Sequence, residues 1–209
     1  MIIGICAGGP LSEINFLQCD KWIGVDRGAI YLIENGLELF EVIGDFDSVS
    51  NDEWKQIIKR LPNSRKLKPE KDETDTEIAI DHAVKLNPKK IFLTGVTGGR
   101  LDHFEAALRV LIRYQLRYPD IKFEVVNNQN KISVLTNGKH RIKKEGYKYI
   151  SFFAMAEPVH DVTLQGVKYE TTNETISPFS SKFTSNEILG DDAYITFSSG
   201  ICLVVRSDD

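Results

Sequence analysis

The amino-acid sequence predicts an α/β domain followed by an all-β domain, and three observations carry that reading. Over the first ~127 residues, short apolar runs alternate with segments whose apolar residues recur at helical spacing. Beyond about residue 128 no amphipathic stretch of roughly ten residues is visible. Turn-forming clusters instead separate strand-like runs to the end of the chain.

In chain order, the strand-like runs of the first part are IIGICAG, KWIGVD, FEVIGD, KKIFLTGV and FEVVNN. Helices are expected near residues 11–19, 27–35, 51–61, 74–86 and 102–118, the last traced by Phe104, Leu108, Leu111, Ile112 and Leu116. Two helix starts carry the capping-box pattern, Ser50 with Glu53 and Thr74 with Glu77. Short apolar strands alternating with amphipathic helices imply a Rossmann-like, mainly parallel sheet with helices on both faces, assigned to residues 1–127. In residues 128–209, NNQNK and TNGK are turn signals, and KYISFFAM, DVTLQGVKY, DAYITFS and ICLVVRS are strand-like. The SSG between the last two is a hairpin candidate, and the whole pattern predicts an antiparallel β-sandwich.

Bulk properties narrow the function classes. A net charge of −4 gives no electrostatic reason to expect a nucleic-acid partner. No apolar run approaches the ~20 residues that cross a bilayer, so no membrane association is expected. The start, MIIGICAGG, lacks a basic n-region and reads as a first strand. Cys6, Cys19 and Cys202 are widely separated without a C-x-x-C spacing, and are expected to be reduced, small core residues of a cytoplasmic protein.

In open α/β sheets, ligands bind outside the carboxyl ends of the strands. Polar residues cluster at those ends. Asp26 and Arg27 follow the second strand in IGVDRGA, and Asp45 and Asp47 follow the third in VIGDFDS. Asp72 and Asp75 open a helix in KDETDTE, and Arg100 and Asp102 follow a glycine-rich turn in LTGVTGGRLDH. Carboxylates gathered at one sheet edge repel unless a cation relieves them. Mg²⁺ takes oxygen ligands, few of them from protein carboxylates, and Asp45, Asp47 and Asp75 suit it. Gly98 and Gly99 permit close backbone approach, the following helix offers free N–H groups, and Arg100 can hold a phosphate bidentately. The turn is neither a P-loop nor GxGxxG, and CAGGPLSE at Gly8 and Gly9 is a second turn of this kind. Asp72 and Asp102 each suit a general base, a metal ligand or a helix-start charge. An aspartate-nucleophile phosphatase, suggested by DFD, leaves the other acidic motifs unexplained.

DRGA, GDFDS, KDETDTE and GVTGGRLDH, in this order, resemble the thiamine pyrophosphokinase family of the bacterial type. LQGVKY and TSNE are similar to that family's C-terminal signatures, so the resemblance spans nearly the whole chain. It implies transfer of the β,γ-pyrophosphoryl unit of ATP to the hydroxyethyl group of thiamine, giving thiamine diphosphate and AMP, with Mg²⁺. It implies an α/β domain for ATP and metal, a β-sandwich for thiamine, and a homodimer with active sites at the interface. By motif, Asp45, Asp47 and Asp75 match metal-binding aspartates. Asp26, Arg27, Thr97, Gly98, Gly99 and Arg100 fall in the ATP-binding segments. Asp72, Asp75, Arg100 and Asp102 are the implied catalytic set, with Asp72 favoured as base. Ser185 and Asn186 match a thiamine-side segment, and Tyr169 stands where some relatives carry tryptophan.

Overall fold

Apolar runs of five residues become the strands β1 (Ile2–Cys6), β2 (Lys21–Val25), β3 (Leu39–Ile43), β4 (Lys90–Thr94) and β5 (Lys122–Val126) of a computed structural model that describes residues 1–67 and 73–209. All five pair in parallel, in the order β3-β2-β1-β4-β5. The chain therefore builds outward from β1 to β3, then returns to the other side of β1. Among the described residues, four α-helices pack with this sheet: α1 (Arg27–Glu34), α2 (Asn51–Arg60), α3 (Asp75–Val84) and α4 (Leu101–Arg117). Two compact units result, Met1–Asn128 and Gln129–Asp209.

Local chemistry explains the helix ends. Ser50 closes a full capping box on α2, its hydroxyl accepting from Glu53 N–H while the Glu53 carboxylate accepts from Ser50 N–H at 2.8 Å. Thr74 caps α3 in the same way, but the Glu77 side chain turns to Arg113 on α4 instead of back to Thr74. The buried stripe of α4 is Ala107, Val110, Leu111 and Tyr114, rotated from the line of larger apolar residues read in the sequence. Tyr114 is the reason: its ring is buried and its hydroxyl donates to Asp81 on α3.

The helix expected over 11–19 is absent beyond a single 3₁₀ turn, Leu11–Glu13. Ile14 is already extended at φ −89°, ψ 128°, and Asn15 N–H donates to the Thr94 hydroxyl at 2.8 Å. A tertiary partner thus takes the donor that a helix would need.

The second unit contains β6 (Asn130–Leu135), β7 (Gly138–Lys143), β8 (Tyr149–Ala154), β9 (Val159–Gln165), β10 (Thr171–Ile176), β11 (Asp192–Phe197) and β12 (Cys202–Ser207). Antiparallel pairing gives the orders β6-β12-β8 and β10-β9-β11-β7. Phe152 and Val204 from the first group share one core with Val162, Ile176 and Ile195 from the second, as a sandwich requires. The SSG segment is not a hairpin: β11 pairs with β7 and β9, whereas β12 pairs with β6 and β8. The chain crosses there from one sheet to the other.

Cys6 and Cys202 are buried free thiols, both pushed up to about 12 by burial, and so are inert core groups. Among the described residues no helix is long and apolar enough to cross a membrane.

Two phenylalanines of the second unit test its packing. Phe152 is 1% exposed and Phe179 is 98% exposed. Denaturant unfolding of Phe152→Ala is expected to lose about 3–5 kcal/mol. Phe179→Ala is expected to stay within about 0.5 kcal/mol of the parent.

Candidate active site

Where the strand order reverses between β1 and β4, the connections leave the sheet in opposite directions and open a crevice at the carboxyl ends. A cavity of about 730 Å³ lies at this point in the first unit. Gly8 and Gly9 line it from the end of β1, and Gly95, Thr97 and Gly99 from the end of β4. Asp26 enters after β2, Asp47 after β3, and Asp75 from the first turn of α3. Five acidic or glycine-rich segments, separated in sequence, thus meet at one place.

The aspartate loop is built around two unusual backbone positions. Asp26 takes φ 47°, ψ −123°, a region that costs a non-glycine residue about 1–3 kcal/mol. Its N–H donates to Ile43 O at 3.0 Å, and its Oδ1 accepts from Phe46 N–H at 3.2 Å. Gly44, at φ 147°, lies against that carboxylate: a Cβ there would sit 2.0 Å from Asp26 Oδ1. No other residue type fits. Phe46 also has positive φ, 56°, and is fully buried, packing on Trp54 with ring centroids 4.8 Å apart. With Phe46 turned inward, Asp45 and Asp47 are left at the surface of the loop. Asp45 Oδ1 accepts from Asp47 N–H at 3.1 Å, which tightens the turn.

Electrostatics register the crowding. The Asp26 carboxyl is pushed up to about 6, first by burial, then by Asp75, and further by Asp45 and Asp47, against the lowering effect of Phe46 N–H. Three other carboxylates therefore act on Asp26. Among the described residues no group of three or more His, Cys, Asp or Glu side chains is placed to hold a metal ion. Mg²⁺ does not need one, because it keeps several waters and takes one or two carboxylates plus substrate phosphates. All-oxygen donors and mutual repulsion make this a fitting environment for such an ion.

The remaining site candidates divide. Thr97 lies on the cavity wall, and its hydroxyl accepts from the buried Asn127 amide at 3.0 Å. Of the glycine pair, Gly98 has the left-handed backbone, φ 75°, while Gly99 does not. Arg100 reaches the wall and holds Asp102 bidentately, at 3.1 and 2.6 Å. That pairing keeps the Asp102 carboxyl below its ordinary range, which makes it a weak base as it stands. Arg27 is not on the wall: it donates to Ser48 O at 3.1 Å and pairs with Glu53 at 3.3 Å. Asp72 lies outside the described residues. Sequence reasoning missed the apolar part of the wall, Tyr31, Ala106, Ala107 and Val110. The adjacent small residues Ala106 and Ala107 of α4 are a sequence signal for part of it.

The thiamine-side candidates lie in the second unit, where Tyr169, Thr184 and Asn186 border a hollow of about 170 Å³. Asn186 is 4% exposed and its side chain is committed. Its Oδ1 accepts from Tyr169 N–H at 3.0 Å and Glu187 N–H at 2.9 Å, while Nδ2 donates to Tyr169 O at 2.9 Å. Ser185 has φ 56° and its N–H donates to the Ser151 hydroxyl at 2.9 Å. Tyr169 is 63% exposed, with the Lys168 ammonium over its ring at 5.6 Å from the centroid.

A doubly wound sheet with an acidic, glycine-lined crevice at its switch point is the architecture of a nucleotide-using phosphotransfer enzyme. Comparison with known proteins narrows the class. The family "Thiamin pyrophosphokinase, catalytic domain" matches residues 15–125, and "Thiamin pyrophosphokinase, vitamin B1 binding domain" matches residues 139–202. The thiamine pyrophosphokinase of Bacillus subtilis (strain 168) is 37% identical over 213 aligned positions, 99% of each chain. A crystal structure of the Bacillus subtilis protein superposes with a TM-score of 0.93 at 35% identity, covering all of both chains. That of Geobacillus thermodenitrificans thiamin pyrophosphokinase gives 0.89 at 36% identity, covering 100% of this chain and 98% of the other. The chain belongs to the thiamine pyrophosphokinase family.

The raised Asp26 carboxyl has a consequence for stability. Its folded value, about 6, exceeds the ordinary 3.8, so the native state holds its proton more tightly than the unfolded chain. The metal-free protein therefore loses stability as pH rises from about 4 through 6. Asp26→Asn keeps the acceptor for Phe46 N–H and removes the charge. In EDTA it is expected to melt above the wild type at pH 7, with the difference vanishing below pH ~4 in a thermal unfolding series.

Proposed function

We propose that the crevice of the first unit binds ATP with Mg²⁺ and that the chain is a thiamine diphosphokinase. It moves the pyrophosphoryl group of ATP to the thiamine hydroxyl, releasing AMP. The observation that carries this reading is the convergence of Asp26, Asp47 and Asp75 on one crevice, with Asp45 in the loop beside Asp47. Family membership supplies the substrate pair.

Each part of the crevice has a task. Tyr31, Ala106, Ala107 and Val110 form an apolar surface suited to a base. The glycine turns at Gly8–Gly9 and Gly95–Gly99 bring backbone close enough to meet phosphates. Arg100, oriented by Asp102, presents a planar guanidinium to them. Asp47 and Asp75, with Asp45 beside them, would hold the metal, which when bound neutralises charge on the phosphate oxygens. The thiamine hydroxyl oxygen forms the new bond to the β-phosphorus as the bond from that phosphorus to the AMP oxygen breaks. A carboxylate takes the hydroxyl proton, and Asp72 is our choice because Asp102 is held by Arg100. Thiamine itself is assigned to Tyr169 and the Ser185–Asn186 segment, with Asn186 acting by fixing the backbone of Tyr169. The working form is proposed to be a cytoplasmic homodimer with active sites at the subunit interface.

Incubation with ATP, Mg²⁺ and thiamine, followed by chromatography, is expected to yield AMP and thiamine diphosphate in equal amounts. ADP with thiamine monophosphate would overturn the pyrophosphoryl assignment. Asp47→Asn and Asp75→Asn are each expected to lower turnover by about a hundredfold or more, with only part of the loss recovered at high Mg²⁺.

A further inference from the structure

Arg27 is a charged residue beside a strained active-site residue, yet it is not itself part of the cavity wall; its guanidinium lies 5.9 Å from the ring centroid of the wall residue Tyr31. One terminal nitrogen donates to Ser48 O at 3.1 Å, and the other pairs with Glu53 Oε1 at 3.3 Å. Glu53 is itself anchored, since its other carboxylate oxygen accepts from Ser50 N–H at 2.8 Å. A continuous chain thus runs from the first residue of α1, through Arg27 and Glu53, to both sides of the 45–50 turn. Asp26, the neighbouring residue, holds the same turn from inside through Phe46 N–H. The Asp26–Arg27 pair therefore grips one loop at three points: the N–H of Phe46, the carbonyl of Ser48 and the cap of α2.

We infer that Arg27 is a positioning residue for the metal-binding aspartates, acting through the loop, and not a phosphate ligand. This rests on the reading that Asp45 and Asp47 serve the metal. Repelling carboxylates on a short turn spread apart unless the backbone is held. Arg27 fixes the carbonyl one residue beyond Asp47, and the Glu53 ion pair holds the guanidinium on that carbonyl. Glu53 thereby becomes a functional residue although it is not on the cavity wall.

The role is separable from phosphate binding because Glu53 shares the first and not the second. Mn²⁺ binding to the substrate-free protein, followed by electron paramagnetic resonance, reads the metal site without turnover. Arg27→Gln and Glu53→Ala are each expected to weaken Mn²⁺ binding about fivefold, and the double variant little more than either alone. The Mg²⁺ concentration for half-maximal activity is expected to rise in parallel. Ser50→Ala loses the same helix cap but leaves Arg27 both partners, so it is expected to lower the melting temperature without moving Mn²⁺ affinity. Wild-type metal binding in Glu53→Ala, with a raised KM for ATP in Arg27→Gln alone, would overturn the inference and make Arg27 a phosphate contact. Equal weakening in Ser50→Ala would also overturn it. A wild-type protein that binds no Mn²⁺ would overturn the metal-site reading beneath it.

Discussion

The contact between the Asp26 carboxylate and the N–H of Phe46 organises the site. It requires Asp26 to adopt a costly backbone conformation, and it requires Gly44, because the carboxylate occupies the space of any side chain there. It sets Phe46 inward, where the core takes up its ring, and so leaves the two flanking aspartates facing out. A hydrophobic residue is in this sense what aims the acidic ones. Burial of one phenylalanine, worth about 2–3 kcal/mol, is comparable with the strain at Asp26. The fold can hold the arrangement without help from a ligand.

What the fold does not relieve is the charge. Burial first, and then the neighbouring Asp75, Asp45 and Asp47, raise the proton affinity of Asp26. The metal-free protein is left with a repulsion that a divalent ion and its phosphates would remove. Strain and repulsion kept at one point, in a sheet otherwise well packed, are features of a site selected for binding and not for stability.

Much of this was legible in the residues. Five apolar runs became five parallel strands, and the acidic motifs fell at strand ends because βαβ topology sends every such connection to the same edge. Two expectations of local structure failed where a distant partner decided the outcome. The stretch 11–19 is no α-helix because Thr94, on another strand, takes the N–H of Asn15. SSG is no hairpin because its flanking strands belong to different sheets, a matter of non-local pairing. Arg27 follows Asp26 in sequence, but its partners come from residues 48 and 53. Asn186 has the polarity of a ligand residue and spends it on the backbone of Tyr169. Motif spacing places residues near a site; it does not say which way each one faces.

The central claim is that carboxylates at the switch point are arranged to be neutralised by a cation. The most direct test is a ¹³C NMR titration of the Asp26 side-chain carboxyl, without metal and with Mg²⁺. The expected midpoint is near 6 in metal-free protein, falling when Mg²⁺ is added. An ordinary carboxylate midpoint without metal, or a raised one that Mg²⁺ does not move, would contradict the account.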